Sequence, residues 1–489
     1  MSTTIKMPEA VSEPTTRHKR RTTLIVIYLA LGGLAFAALQ SLVAPALSTI
    51  GRELNATTGD VSWILTAYLL SASVLTPILG RLGDMVGKRR ILIAVLALLL
   101  AGTVMAALAP NLGVLIIARA LQGAAGAVMP LSIGIVRDEL PKEKVGVTIG
   151  LLSAIFGVGA GVGILAAGPI VEHLSWPWLF WLPGALVVIA LIGVIFGMPE
   201  SPVRKPGRLD VLGAFFLSAA LVFLLLAVSK GQTWGWGSGS TVALFLLGAI
   251  ALGVFVVVEL RVSEPLMDIR LFKLRGVWTA NAIGVVVGFA MFAAFVLVPT
   301  LLQLPSATGY GFGKSVTEAG LFLMPTVLMM VVCGPLAGIL VNKVGARSPL
   351  FISALLVTAA FTLPAISHGQ IWQIVVSGLL TGAGIGLAFA TMSNAIVESV
   401  PAAQTGEAIS VNTIARTIGS SIGTAVVAAL ISSHSTPQGL PLDSAFTIGF
   451  WACAGVAALA IIAALAAPKK SKRRQQSPPL LTKNFNKAQ

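Results

Sequence analysis

Apolar runs of roughly 20 residues, the length a helix needs to cross the hydrocarbon of a bilayer, follow one another from Leu24 to Ala467 with short polar breaks between them. Fourteen can be counted, near 24–48, 61–80, 91–109, 112–134, 146–170, 178–198, 211–229, 240–258, 279–302, 317–341, 349–366, 372–396, 407–431 and 445–467. They are long and continuous, without the alternation of an outer-membrane barrel, so helices are expected. Hydrophobic residues make up 56% of the chain and charged residues 10%, against about a quarter charged in soluble domains. A water-soluble fold could not hide that much apolar surface. The fold class read here is an all-α polytopic membrane protein with 14 transmembrane helices.

The basic residues sort by loop. With the N-terminus placed in the cytoplasm, all but five of the 33 Lys and Arg residues fall in inner segments. Arg52, Lys230 and Lys314 fall in outer loops, and Arg119 and Arg416 within spans. This positive-inside bias predicts a multi-pass protein of a bacterial-type cell membrane with both termini cytoplasmic. Every tryptophan except Trp278 lies at a predicted outer end or loop, where interfacial rings anchor a helix.

Topology therefore accounts for the net charge of +15; nucleic acid is not an expected partner, since no nucleic-acid motif accompanies the charge. Cys333 and Cys453 sit inside apolar runs, which excludes a disulfide framework. The run after the basic stretch Arg17–Arg21 is too long for the core of a cleaved signal and reads as a retained span. His173, His368 and His434 fall in outer loops and His18 in the N-terminal tail, so they read as solvated, with no metal site. The glycines of Gly309–Ser315 lack phosphate-loop spacing. No cofactor is expected, nor an enzyme: no nucleophile, base or metal ligands cluster. Without an ATP-hydrolysing domain, work would draw on an ion gradient.

An internal repeat organises the chain. Pro77, Gly80, Leu82, Asp84, Val86, Gly87 and Arg89 recur as Pro335, Gly338, Leu340, Asn342, Val344, Gly345 and Arg347, 258 residues on. Pro141, Gly146, Gly159 and Gly163 recur as Pro401, Gly406, Gly419 and Gly423, 260 residues on. Two stretches in the same order at nearly one offset indicate duplication. The expected division is a basic cytoplasmic tail (1–22), a six-helix bundle (23–200), a two-helix insert with flanking cytoplasmic loops (201–275), a second six-helix bundle (276–468) and a basic, disordered cytoplasmic tail (469–489). Paired repeats about a central cavity suit alternating access.

Three motifs in order carry a family resemblance. The stretch Gly80-Arg-Leu-Gly-Asp84-Met-Val-Gly87-Lys88-Arg89-Arg90 follows span 2, Arg119-Ala-Leu-Gln122-Gly123 lies in span 4, and Trp176-Pro-Trp178-Leu-Phe180-Trp-Leu-Pro183-Gly184 opens span 6. Together they resemble the major facilitator superfamily, specifically its 14-span branch of drug:proton antiporters, over about residues 22–467. Three positions depart from that branch: Ile164 and Ala167 replace a proline and a glycine of the span 5 motif, and Leu39 stands where span 1 carries an acid. The resemblance implies two six-helix bundles plus the insert. It also implies that the Gly80–Arg90 loop, with Gly80, Asp84, Gly87, Lys88 and Arg89, latches the halves in the outward-facing state, Asp84 lying near the N-terminus of span 13. Asn342 lacks the charge, so the latch should be one-sided.

Charge inside a membrane is costly and calls for a role. Arg119 reads either as a cavity-lining residue that tunes protonation or binds substrate, as the resemblance implies, or as a structural arginine; Gln40, at similar depth, is its candidate acceptor. Arg416 lies deeper, on a polar stripe with Asn412, and an interhelical contact competes evenly with a substrate role. Asp60 and Glu318, equivalent by the repeat, begin helices, where an anion caps free N–H groups; the sharper alternative has them exchange protons at the outward mouth. Gly157, Gly159, Gly161 and Gly163 read as one smooth gating face of span 5. Mid-membrane positions hold two arginines and no acid, which points to anionic, zwitterionic or neutral amphiphiles as substrates.

The leading reading is a secondary active exporter, a proton-coupled antiporter of amphiphilic small molecules or drugs, working as a monomer with a small-molecule substrate, protons and the lipid bilayer as partners. A dedicated metabolite transporter (uptake or uniport) is the alternative; a non-transporting receptor or scaffold stands third.

Overall fold

The computed structural model describes residues 16–56, 58–201, 207–436 and 440–468. The expectations for the chain's first 15 residues and for the tail 469–489 lie outside these. Among the described residues the chain is helical throughout its core, and 14 helices are long and apolar enough to cross a membrane.

Spans 1–6 are Thr23–Leu47, Asp60–Val86, Lys88–Ala107, Leu112–Glu139, Lys142–His173 and Trp178–Gly197; spans 7 and 8 are Val211–Gly231 and Gly239–Arg261. Spans 9–14 are Arg275–Gln303, Thr317–Val344, Arg347–Ile366, Ile371–Ser399, Ala402–Ser433 and Asp443–Ala466. All lie within a few residues of the apolar runs except where charged residues extend a helix. Span 4 continues to Glu139, and the first helix already starts at Thr16, inside the predicted tail. A helix satisfies its own backbone groups, so it can pass from lipid into water without a break; apolarity marks the hydrocarbon, not the helix end.

Prolines account for the interruptions. Pro45 cannot donate to Ser41, and span 1 breaks at Leu42 before resuming at Val43. Pro130 leaves the carbonyl of Gly126 without its helical partner, and span 4 tightens to a 3-10 turn over Gly123–Ala127.

The packing repeats as the sequence does. Span 1 runs along spans 5 and 6, span 2 along span 4, and span 3 along span 6; correspondingly, span 9 packs on 13 and 14, span 10 on 12, and span 11 on 14. Two seams join the bundles, span 5 against span 10 and span 2 against span 13, each the counterpart of the other. The insert breaks this symmetry. Span 7 packs on spans 2 and 13, covering one seam only, through Ala214, Leu217 and Leu221 against Ile78 and Ile414. Large side chains such as Phe196, Ile250, Leu328 and Ile462 point outward with nothing over them, as they can where the bilayer is the solvent.

Candidate functional site

The densest polar cluster lies where the repeat motif meets the start of span 13. Gly80, near the end of span 2, faces Gly406: a β-carbon on Gly80 would sit 3.0 Å from the carbonyl oxygen of Gly406 and would overlap the Ser410 hydroxyl. Bare glycines thus bring the helices together, and Asp84, one turn on, reaches the first turn of span 13. Its Oδ2 accepts the backbone N–H of Glu407 at 3.1 Å, the free end of a helix that favours an anion. Lys88 lies between two carboxylates, 3.4 Å from Asp84 Oδ1 and 2.8 Å from Asp138 Oδ2, all three fully buried. Gly87 turns the chain between spans 2 and 3 at φ 132°, a backbone angle that disfavours a side chain. Arg89 donates to the carbonyls of Val194 and Ile195 at 3.2 and 2.5 Å, tying span 3 to span 6.

Sequence reasoning missed much of this cluster. Arg81, in a predicted inner segment, is 1% exposed and lies 3.6 Å from Glu407 Oε2. Glu407 Oε1 accepts the backbone N–H of Asp268 at 2.5 Å. Arg137 crosses the halves at the same end, donating to the carbonyls of Val400 and Pro401 and to Thr405 Oγ1. The repeat held the signal. Arg81, Asp84, Lys88 and Glu407 are matched in the other copy by Ile339, Asn342, Ala346 and Val147, so charge stands in one copy of a shape present twice. The other seam keeps that shape: Gly338 packs on Gly146, whose β-position lies 3.1 Å from Asn342 Oδ1. Asn342 itself is exposed.

The mid-membrane arginines differ from each other. Arg119 is fully buried within one bundle. Its guanidinium donates to Gln122 Oε1 at 2.7 Å and to the carbonyls of Leu39 and Ile64 at 3.1 and 3.4 Å, and stacks 4.3 Å from the ring of Tyr68. The side-chain acceptor expected at Gln40 is therefore Gln122, one turn away on the arginine's own helix. Gln40 is half-buried beside Leu39. Among the described residues, no partner of Arg119 comes from the other bundle.

Arg416 sits near the middle of span 13 and is half-buried. It lies against both bundles: Nη2 approaches Met129 Sδ of span 4 at 3.3 Å and Thr413 Oγ1 at 3.4 Å, and the guanidinium carbon lies 4.5 Å from the ring centre of Phe389 in span 12. Among the described residues, no carboxylate forms an ion pair with it. Asn412, expected beside it on the same pathway, is buried and bonds across to Ala280 and Asn281 at 3.0 and 3.2 Å, joining spans 9 and 13 inside one bundle.

At the opposite end, Glu318 forms a capping box with Ser315 and pairs with Lys314 at 3.2 Å while exposed, which is the capping arrangement. Asp60 is also exposed, in the first turn of its helix. His368, expected to be solvated, is buried and held between Pro364 O at 2.7 Å and Asp443 Oδ1 at 2.9 Å. The four span 5 glycines do not form one face, because residues two apart on a helix point to nearly opposite sides. Gly159 and Gly163 pack on span 1 at Leu34, Ala37 and Ala38, whereas Gly157 and Gly161 meet Met330 and Val327 across the seam.

Two duplicated helical bundles, joined along two seams and bridged by buried charges at one end, define a polytopic α-helical membrane protein. The family model of the Major Facilitator Superfamily matches residues 29–304 and 282–487, and the chain belongs to that superfamily, whose members are transporters and not enzymes. It is 34% identical over 436 residues to an MFS-type transporter of Mycobacterium tuberculosis, matching 88% of this chain and 62% of that one. The chain thus spans under two thirds of that relative's length. It is 28% identical over 397 residues to the multidrug transporter protein MdtP of Bacillus subtilis, covering 79% of this chain and 72% of that one. With the tetracenomycin C resistance and export protein of Streptomyces glaucescens it shares 29% over 415 residues, 84% of this chain and 76% of that one. The fold matches that of the human organic anion transporter MFSD10 with a TM-score of 0.65 at 16% identity, covering 92% of this chain and all of that one.

Proposed function

We propose that the protein is a proton-coupled exporter of amphiphilic small molecules, preferring anionic, zwitterionic or neutral compounds to permanent cations. Arg416 carries this reading. It is a half-buried cation at mid-membrane, bordered by Met129 and Phe389 from different bundles and reached by no carboxylate among the described residues. A charge in low dielectric attracts an opposite one, and thioether and aromatic surfaces accommodate varied apolar bodies. The names of two relatives, a multidrug transporter and a tetracenomycin C resistance and export protein, support the export direction. We take the Asp84 end as cytoplasmic, both termini there, and the locked arrangement as the outward-facing one; the bundle boundaries at 23–200 and 276–468 and a monomeric unit belong to the same reading.

The test is transport by protein reconstituted in liposomes, with and without an imposed pH gradient, across compounds matched in size and varied in charge. Gradient-dependent movement of anionic and neutral compounds is the expected result. Strong ethidium export with no anion transport would refute the charge preference, and gradient-independent transport would refute the coupling. Leu39 at the usual acid position of span 1 favours, as a second reading, a dedicated metabolite carrier, which the same panel would reveal as transport of one compound alone.

A further inference from the structure

The two-helix insert carries a buried acid that no role described so far uses. Glu259, at the Asp84 end of span 8, is 4% exposed. Its Oε2 accepts the backbone N–H of Met267 at 3.2 Å, while Oε1 has no hydrogen-bond partner. Asp210, the residue that caps span 7, accepts the N–H of Gly213 through Oδ1 at 2.9 Å, and its Oδ2 is likewise buried and without a partner. Both free oxygens lie against the bare Cα of Gly213, where a β-carbon would overlap them. Two acceptor-only groups thus face each other, and among the described residues no cation forms an ion pair with either.

Other charges approach from the neighbouring elements. Glu407 of span 13 faces the pair and adds negative charge; its own cation is Arg81 of span 2 at 3.6 Å. Asp84 and Lys88 lie beyond it on span 2 and at the start of span 3. One short segment connects the two acids. The N–H of Met267 goes to Glu259 and the next N–H, of Asp268, goes to Glu407, whose own N–H holds Asp84.

We infer that Glu259 and Asp210 form a proton-binding site that holds one proton between them while the Asp84 end is closed. Two carboxylates at close quarters in a dry site cannot both ionise cheaply, and a shared proton turns one into the donor that the other lacks. The site lies at one end of the molecule, and its test does not depend on whether transport is proton-coupled. Its consequence is a pH-dependent lock. The proton stabilises the closed end, that stabilisation is fully present at low pH, and it fades as pH rises and the pair ionises beside Glu407.

Infrared difference spectra of the full-length protein in lipid nanodiscs, recorded through a pH titration, test this directly through the carboxylic-acid C=O stretch. Spin labels at the exposed Arg90 and Arg275 report the width of the same end. The expected result is a protonated carboxyl that titrates in the wild type and is lost in Glu259→Gln, with the end widening over the same pH range only when Glu259 is present. In Asp210→Asn, whose amide still caps span 7, the loss of the band should move at least about one pH unit lower, since the like charge is gone. An unchanged band in Glu259→Gln would overturn the inference, as would an unchanged titration in Asp210→Asn, which serves if the first variant fails to fold. The same widening with pH in Glu259→Gln as in the wild type would overturn the lock.

Discussion

Lys88 is the buried cation that both Asp84 and Asp138 face, and its aliphatic stem passes over Gly134, the residue that leaves room for it. Lys88→Ala would strand two buried carboxylates, a change that destabilises by about 3–5 kcal/mol and should show as a large fall in the thermal midpoint of the purified protein. The two mid-membrane arginines separate in the same assay. Arg119→Met leaves the Gln122 oxygen without its donor, at about 1–3 kcal/mol, so stability should fall. Arg416→Met removes a cation whose contacts are a sulfur, a hydroxyl and a ring; stability should change by no more than about 1 kcal/mol, as for a site where few hydrogen bonds are lost, and the midpoint should barely move, while export of anions disappears. Equal stability loss in the two variants would remove the distinction. That Arg119 and Arg416 mattered was legible in the sequence, because charge in an apolar run stands out. Their acceptors were not: a carbonyl such as that of Leu39 is anonymous in a sequence, and only the bend of span 1 and the depth of span 4 bring it into reach.

At the scale of the helix, glycine spacing decides what can slide. On span 5, a β-carbon at Gly150 would collide with the backbone of Gly334 across the seam, and backbone cannot yield; at Gly168 it would meet only Thr317 Oγ1, at an ordinary 3.5 Å. Gly150→Ala should slow transport by about tenfold at normal expression, the rate equivalent of about 1.4 kcal/mol of overpacking, and Gly168→Ala should leave it unchanged. Equal transport in both would show that the seam does not move. The 14 helices and the duplication were readable because a bilayer imposes one length and one composition on every span. Helix ends were less so: Asp84 and Glu139 lie on helices that leave the apolar run behind. The division of the span 5 glycines between two faces could have been read from their spacing alone, since residues four apart share a side and residues two apart do not.

The molecule as a whole has two seams of one shape, and Asp84, Lys88 and Glu407 of one are matched by the uncharged Asn342, Ala346 and Val147 of the other. Asn342→Asp alone should add an anion without its lysine; with Ala346→Lys as well, the second seam should regain a paired charge. The double variant is expected to hold the Asp84 end closed more firmly than the wild type, read as a narrower distribution of spin-label distances, and a broader one would show that a single charged seam is already the tighter arrangement. Span 7 of the insert packs over the charged seam. Dissolved ions screen attractions between groups they can surround, over about 8–10 Å at ordinary ionic strength, and scarcely touch a pair sealed from water. The Lys88 contacts have almost no exposed surface, whereas Arg90, 62% exposed, meets Glu200 at the rim. Raising salt should therefore dissolve the rim contact and leave the closed end shut, so that a cell losing or gaining electrolyte would find this closure indifferent to the change.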